Sequence, residues 1–205
     1  MKCAKEDLLL YAVTDRHWLN GRTLYEVVKE SLDGGVTFLQ LREKTLDEAH
    51  FLEEAKELQK LCKEYKVPFI INDNVDIAVA MNADGVHVGQ SDMEAGDVTC
   101  QIRPGQDHRC FNTDCGAAIL AEKHGADYLG VGAVFPTTSK DDAAEVSYDT
   151  LKAICEAVSI PVVAIGAYTG ECCQTDGAAA LTVWQSSVPF MHRKDIKKAT
   201  ADLKE

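Results

Sequence analysis

The sequence predicts an α/β fold and, within that class, a closed (β/α)8 TIM barrel made of residues 1–205 as one domain. Short apolar, β-rich runs alternate with amphipathic helical stretches, giving repeated βα units of roughly 20–30 residues. Polar blocks rich in functional groups follow at least four of these runs and are spread along the chain. A doubly wound sheet gathers its ligand site at one switch point, whereas a barrel brings every strand end into one ring. Blocks dispersed in this way select the barrel.

The strand-like runs are Leu8–Val13, Val36–Leu41, Val67–Ile71, Gly85–Val88, Tyr128–Val131 and Pro161–Ile165. Their nearly continuous apolar character is that of parallel strands covered on both faces. The clearest helix spans Leu46–Tyr65, with Phe51, Leu52, Ala55, Leu58, Leu61 and Cys62 on one face and Glu53, Lys56 and Lys60 on the other. Thr45 or Asp47 can cap its start, and Lys66 precedes the next strand.

Composition narrows the function classes. A hydrophobic content of 46% with 26% charged residues is that of a soluble globular protein long enough to bury a core. The formal charge of -12 argues against non-specific binding to nucleic acid or anionic membranes. An anionic substrate must therefore be held by a local cationic pocket. The opening Met1 to Asp7 is polar and the apolar run after it is short, so no secretory signal is expected. No stretch is long enough to span a bilayer. The 8 cysteines are then expected to be reduced thiols in the cytoplasm. Their spacing matches no zinc motif, and the adjacent Cys172-Cys173 suits neither a relaxed disulfide nor a CxxC site.

The polar blocks carry the chemistry. Gln40-Leu41-Arg42-Glu43-Lys44 follows the second run. Arg42 and Lys44 are two apart, which in extended chain puts both on one face, where they and Gln40 can converge on one anion. Arg-Glu-Lys alone would read as a solvated charge run; its place directly after a buried strand favours a site. Asn72 and Asp73 end the third run, and Asp92 lies in Gly89-Gln90-Ser91-Asp92-Met93. Either Asp alone reads as a helix N-cap. Two carboxylates at neighbouring strand ends, facing a cationic hook, better suit a hard oxygen-seeking ion such as Mg2+. His87 reads as a strand histidine, since no second His or Cys stands at metal spacing. Pro136-Thr137-Thr138-Ser139-Lys140 offers hydroxyls, amides and an ammonium to phosphate oxygens without forming a Walker loop. Gly166, ending the last of these runs, lets a phosphate approach the backbone. Such a site can hold a diphosphate through a divalent metal, which points to a reaction with pyrophosphate as leaving group.

Taken with Val13-Thr14-Asp15-Arg16, Gly34-Gly35-Val36-Thr37, Asp84 to Gln90 and Gly125 to Lys140, these blocks closely resemble the thiamine-phosphate synthase family over most of the chain. The resemblance implies a barrel transferase of thiamine biosynthesis. Such an enzyme joins hydroxymethylpyrimidine diphosphate to thiazole phosphate, with Mg2+, and yields thiamine monophosphate and pyrophosphate. By residue match, Gln40, Leu41, Arg42, Glu43, Lys44, Asn72 and Lys140 would bind the pyrimidine diphosphate. Arg42, Lys44 and Lys140 would act on the departing charge. Asp73 and Asp92 would hold Mg2+. Thr137, Thr138, Ser139, Gly166, Ala167 and Ser187 would receive the thiazole phosphate. The implied partners are these small phosphorylated molecules, with no nucleic acid and no membrane, and the oligomeric state is left open. The sister thiazole tautomerases share the outline, but Lys44 and Asp92 favour the synthase.

Two windows depart from the family's pattern and put the fifth and eighth strands in doubt. Within Thr99–Gly116, Asp107-His108-Arg109-Cys110-Phe111-Asn112 does not read as a buried parallel strand. Within Ala167–Lys194, Ala167 replaces a glycine, and Val183-Trp184-Gln185-Ser186-Ser187-Val188-Pro189-Phe190 replaces an apolar strand, with a proline that central strands avoid. Two compensated reading-frame slips would account for both windows; the alternative is ordinary divergence. His108 to Thr113 can be written CAT CGG TGT TTC AAC ACA, which one base later gives Ile-Gly-Val-Ser-Thr. Thr182 to Phe190 can be written ACG GTG TGG CAG TCG TCA GTG CCA TTT, which two bases later gives Gly-Val-Ala-Val-Val-Ser-Ala-Ile. On this reading the chain as written is a damaged enzyme; the alternative is a non-catalytic relative that still binds diphosphate and Mg2+.

Overall fold

The computed structural model describes residues 5–89, 107–112, 114–132, 134, 146–165, 181–185 and 195–202. Its strands are β1 (Leu10–Val13), β2 (Phe38–Leu41), β3 (Phe69–Asn72), β4 (Gly85–Val88), β5 (Asp107–Asn112), β6 (Tyr128–Gly132), β7 (Val162–Ile165) and β8 (Leu181–Gln185). Each pairs in parallel with the next, and β8 returns to β1 through Leu10 with Trp184 and Tyr11 with Gln185. The sheet is therefore a closed barrel in sequence order. Described helices are α1 (Leu24–Asp33), α2 (Glu48–Tyr65), α3 (Val75–Ala80), α4 (Cys115–Lys123), α5 (Tyr148–Ala157) and α6 (Ile196–Asp202).

The apolar runs divide into two cores because successive strand side chains face opposite sides. Tyr11, Val13, Phe38, Ile70, Tyr128 and Val163 form one buried cluster inside the barrel. Their neighbours Ala12, Leu39, Ile71, Val86, Leu129 and Ala164 belong to a second cluster, packed against the helices. Double-sided burial is why alternation was invisible in the sequence. The helical layer is fixed by short polar side chains at its starts. Thr23 and Glu26 form a reciprocal capping box on α1, and Asp47, Asn74, Asp114 and Ser147 cap α2, α3, α4 and α5. Of the two expected caps for α2, Asp47 is used. At the seam of the ring, α6 lies close against the end of α1: a Cβ on Gly34 would stand 2.5 Å from the Thr200 Cβ.

The doubt over two strands is corrected. Residues Asp107–Asn112 form β5, in register with β4 through Val88 and Cys110 and with β6 through Cys110 and Leu129. Leu181–Gln185 form β8, with a register irregularity opposite Val162 and Val163. The ladder is made by backbone groups, which every non-proline residue carries, so two regular neighbours can hold a strand whose side chains argue against it. Pro189 lies outside the described residues.

Candidate active site

Because all the strands run parallel, their C-terminal ends open on one side, and β2 and β3 deliver adjacent parts of the expected site there. Gln40 pairs in register with Val13 of β1 and with Ile70 of β3, and Asn72 pairs with His87 of β4. Arg42, Glu43 and Lys44 continue from β2, and Asp73 from β3. Asp92, Thr137, Thr138, Ser139, Lys140, Gly166, Ala167 and Ser187 lie outside the described residues.

Gln40 is buried in the barrel interior and donates from its Nε2 to the Tyr11 hydroxyl at 2.6 Å. That hydroxyl lies 2.6 Å from the hydroxyl of Tyr128 on β6. The Tyr128 ring stands 6.3 Å from the imidazole of His87, which is itself buried in β4 as its strand reading expects. Tyr11 and Tyr128 were missed as site supports. The available signal was a phenol within a buried strand, whose hydroxyl needs a partner. Leu41 is fully buried in the cluster that faces the helices, so its expected substrate contact is corrected to a backbone one at most.

The segment after β2 is built around Glu43. Thr14, at the end of β1, accepts from the Arg42 amide at 2.9 Å and donates to the Arg42 carbonyl at 3.3 Å. The Arg42 guanidinium lies 4.0 Å from Asp15. Glu43 does not face the mouth as a substrate ligand. Its side chain is 1% exposed, with one carboxylate oxygen accepting from the amides of Lys44, Thr45 and Leu46 at 2.7, 2.6 and 3.2 Å and from the Thr45 hydroxyl at 2.8 Å. The other oxygen accepts from Nε of Arg16, whose far nitrogen pairs with Glu54 on α2. Burial alone would raise the Glu43 carboxyl, but these amides and Arg16 outweigh it and hold the group down at about 2. The substrate-binding role read for Glu43 is thereby corrected: its oxygens are already engaged by the loop. Lys44 is exposed.

Asn72 ends β3 half-buried, and Asp73 follows it at φ 62°, in the left-handed region. Its amide donates to the His87 carbonyl at 2.8 Å, tying this turn to β4. The bland role for Asp73, capping the next helix, is taken by Asn74, whose side chain accepts from the Ile77 amide at 3.0 Å. The Asp73 carboxylate is left exposed beside the barrel mouth. A non-glycine residue held in the left-handed region is a recurrent mark of a functional turn. Carboxylate oxygens of this kind are donors that suit a hard cation.

Among the described residues no three His, Cys, Asp or Glu side chains gather as a metal cage, and Cys62, Cys115 and Cys155 are free thiols. Burial pushes the Cys62 thiol up to about 12, which makes it inert at neutral pH. None of the described helices is long and apolar enough to cross a membrane.

Comparison with known proteins shows the family. The family model described as thiamine monophosphate synthase matches residues 10–179. A thiamine-phosphate synthase of Clostridium tetani is 42% identical over 203 residues, covering 96% of this chain and 94% of the relative. One from Clostridium acetobutylicum is 46% identical over 168 residues, covering 80% and 78%. Among solved structures, a thiamine phosphate pyrophosphorylase from Pyrococcus furiosus superimposes with a TM-score of 0.83 at 36% identity, over 98% of this chain and 95% of the other. The chain belongs to the thiamine monophosphate synthase family.

Proposed function

We propose that the protein is a thiamine-phosphate synthase that uses Mg2+. It would join hydroxymethylpyrimidine diphosphate to thiazole phosphate with release of pyrophosphate. The observation that carries the reading is the juxtaposition at one barrel mouth of Arg42 and Lys44, after β2, with Asn72, the last residue of the adjacent β3, and Asp73, which follows it. The family relationship supports the same choice of substrates.

The reaction asks little of the protein as a nucleophile or base. An aminopyrimidine can stabilise a benzylic-type cation, so the bond to the diphosphate can break before the thiazole nitrogen attacks. Catalysis then rests on stabilising negative charge that builds on the leaving group and on alignment of the incoming ring. Arg42 offers a planar fork of donors and Lys44 a mobile point charge, and together they clamp phosphate oxygens. Gln40, pinned by Tyr11 in the barrel interior towards the mouth, would orient the pyrimidine. Asp73, with Asp92, would hold Mg2+. When bound, the ion neutralises part of the diphosphate charge.

The test is direct. Purified protein given both phosphorylated substrates should release pyrophosphate and form thiamine monophosphate, and excess EDTA should stop it. Full turnover in EDTA would remove the metal from the reading. Absence of any pyrophosphate binding would remove the reading itself.

A further inference from the structure

The turn after β1, Thr14-Asp15-Arg16, binds nothing in the reading above, yet it is locked to the segment that carries the two cations. Glu43 sits between Arg42 and Lys44 in sequence, turned away from solvent. Three successive amides and one hydroxyl converge on one of its oxygens. The second oxygen is held by Arg16. Arg16 is in turn anchored to Glu54 on α2, so the loop is braced from both neighbouring layers. Asp15 fixes the start of the Arg16–Trp18 turn by accepting from the His17 amide at 2.9 Å, and it also faces Arg42.

Two physical consequences follow. Arg16 compensates the buried Glu43 carboxylate, so that group holds the loop without competing for a ligand at the mouth. A surface loop would otherwise have to be ordered by each arriving substrate, and that ordering would subtract from binding. Here the amides of Lys44, Thr45 and Leu46 are already fixed before any ligand arrives.

We propose that Arg16 and Glu43 are positioning residues that hold Arg42 and Lys44 in their anion-binding geometry, so that this loop is preorganised for diphosphate. The proposal rests on the synthase reading, since it needs the loop to bind the diphosphate. It assigns the pair no contact with substrate.

The variants are Arg16→Met, Glu43→Gln and Glu54→Gln, tested for steady-state turnover and for calorimetric binding of inorganic pyrophosphate with Mg2+. Arg16→Met and Glu43→Gln should weaken pyrophosphate and raise KM for the pyrimidine diphosphate by about tenfold or more, as expected for misplacing binding groups. KM for the thiazole phosphate should stay within about twofold, a split that a general loss of structure would not produce. Glu54→Gln, at the far end of the brace, should shift the same quantities in the same direction by less. In a Lys44→Ala background the Glu43→Gln effect should shrink markedly, because residues acting through one another are not additive. If Arg16→Met or Glu43→Gln loses its cooperative melt, Thr45→Val replaces it, since it removes only one donor to Glu43. Equal losses for both substrates, full additivity with Lys44→Ala, or unchanged pyrophosphate binding in well-folded variants would overturn the positioning role alone. A wild-type protein that binds no pyrophosphate would overturn the synthase reading along with it.

Discussion

The Tyr11 and Tyr128 hydroxyls meet at 2.6 Å inside the barrel, joining strands β1 and β6 across 117 residues of sequence, and Tyr11 also accepts the Gln40 amide. This polar contact lies within an otherwise aromatic and aliphatic interior, with the Phe38 ring 4.8 Å from that of Tyr11. Tyr11→Phe keeps the ring and deletes the acceptor. Leaving a buried amide without that partner costs roughly 1–3 kcal/mol. The variant should melt at lower temperature and bind the pyrimidine substrate more weakly, while an equal change at exposed Tyr148 should do neither. Unchanged stability in Tyr11→Phe would show that Gln40 does not depend on this hydroxyl.

Stability should depend on Glu43 in a defined acid window. Its folded pKa, about 2, lies below the ordinary carboxylate value of 4.5, so the folded state favours the ionised form. The contribution is complete above about pH 4.5 and is lost as the pH falls through about 2. After allowance for solvent screening it is on the order of 1–3 kcal/mol. Glu43→Gln cannot titrate, so urea melts of variant and wild type should differ most at pH 5 and above and converge towards pH 2. A gap that stays constant across that range would mean the carboxylate charge is not what holds the loop.

Asp73 and Asn74 are adjacent and should fail in opposite ways. Asn74→Ala removes a helix cap and should cost about 1 kcal/mol of stability, with turnover kept once the protein is folded. Asp73→Asn tolerates the left-handed backbone and leaves the cap intact, so melting should change by less than about 0.5 kcal/mol. It should nonetheless lower kcat/KM by orders of magnitude and raise the Mg2+ concentration needed for half-maximal rate. Were Asp73→Asn to lose stability and keep its metal response, the carboxylate would be structural.

At the mouth end of β6, Gly132 is spaced for close strand contact. A Cβ there would come within 2.5 Å of the Ile165 carbonyl oxygen and 2.7 Å of its Cβ, and the two residues pair in the β6–β7 ladder. Backbone must move to admit it. Gly132→Ala should therefore destabilise by roughly 1–3 kcal/mol in chemical denaturation, and a neutral result would mean the ladder can open at this point.

The barrel was legible because it depends on the order of strands and helices, and six of the strands fall within two residues of where their apolar runs place them. The extra residues at run starts, such as Leu8, sit in turns: Leu8 ends a 3-10 helix while its side chain still fills the barrel floor. Arg42, Lys44 and Asp73 were legible as strand-end polar groups. Glu43 was not, because its neighbours in the sequence say only that it lies in a charge run. What removes it from the mouth is Arg16, 27 residues away, and a turn that folds three amides onto it. The Asn74 cap was likewise hidden behind Asp73, since either residue can cap and only the left-handed turn at 73 decides between them.

The backbones of β5 and β8 complete the barrel although their sequences argue against it. Arg109 pairs in register with His87 on one side and Tyr128 on the other, and Gln185 pairs with Tyr11 and Ile165. Read in the shifted frames, the same stretches supply Ile-Gly-Val-Ser-Thr and Gly-Val-Ala-Val-Val-Ser-Ala-Ile, which match their apolar partner strands in character. The frame-corrected chain should therefore be the more stable by several kcal/mol, a large share of the about 5–15 kcal/mol that holds a domain together. It should also be the faster synthase, with the chain as written less soluble and slower in turnover. Expressing both, melting both and assaying both decides the matter, and resequencing the gene tests its cause. A cooperative melt of the written chain near that of the corrected one, together with equal turnover, would show that residues 99–116 and 167–194 are ordinary divergence and that no frame slip occurred.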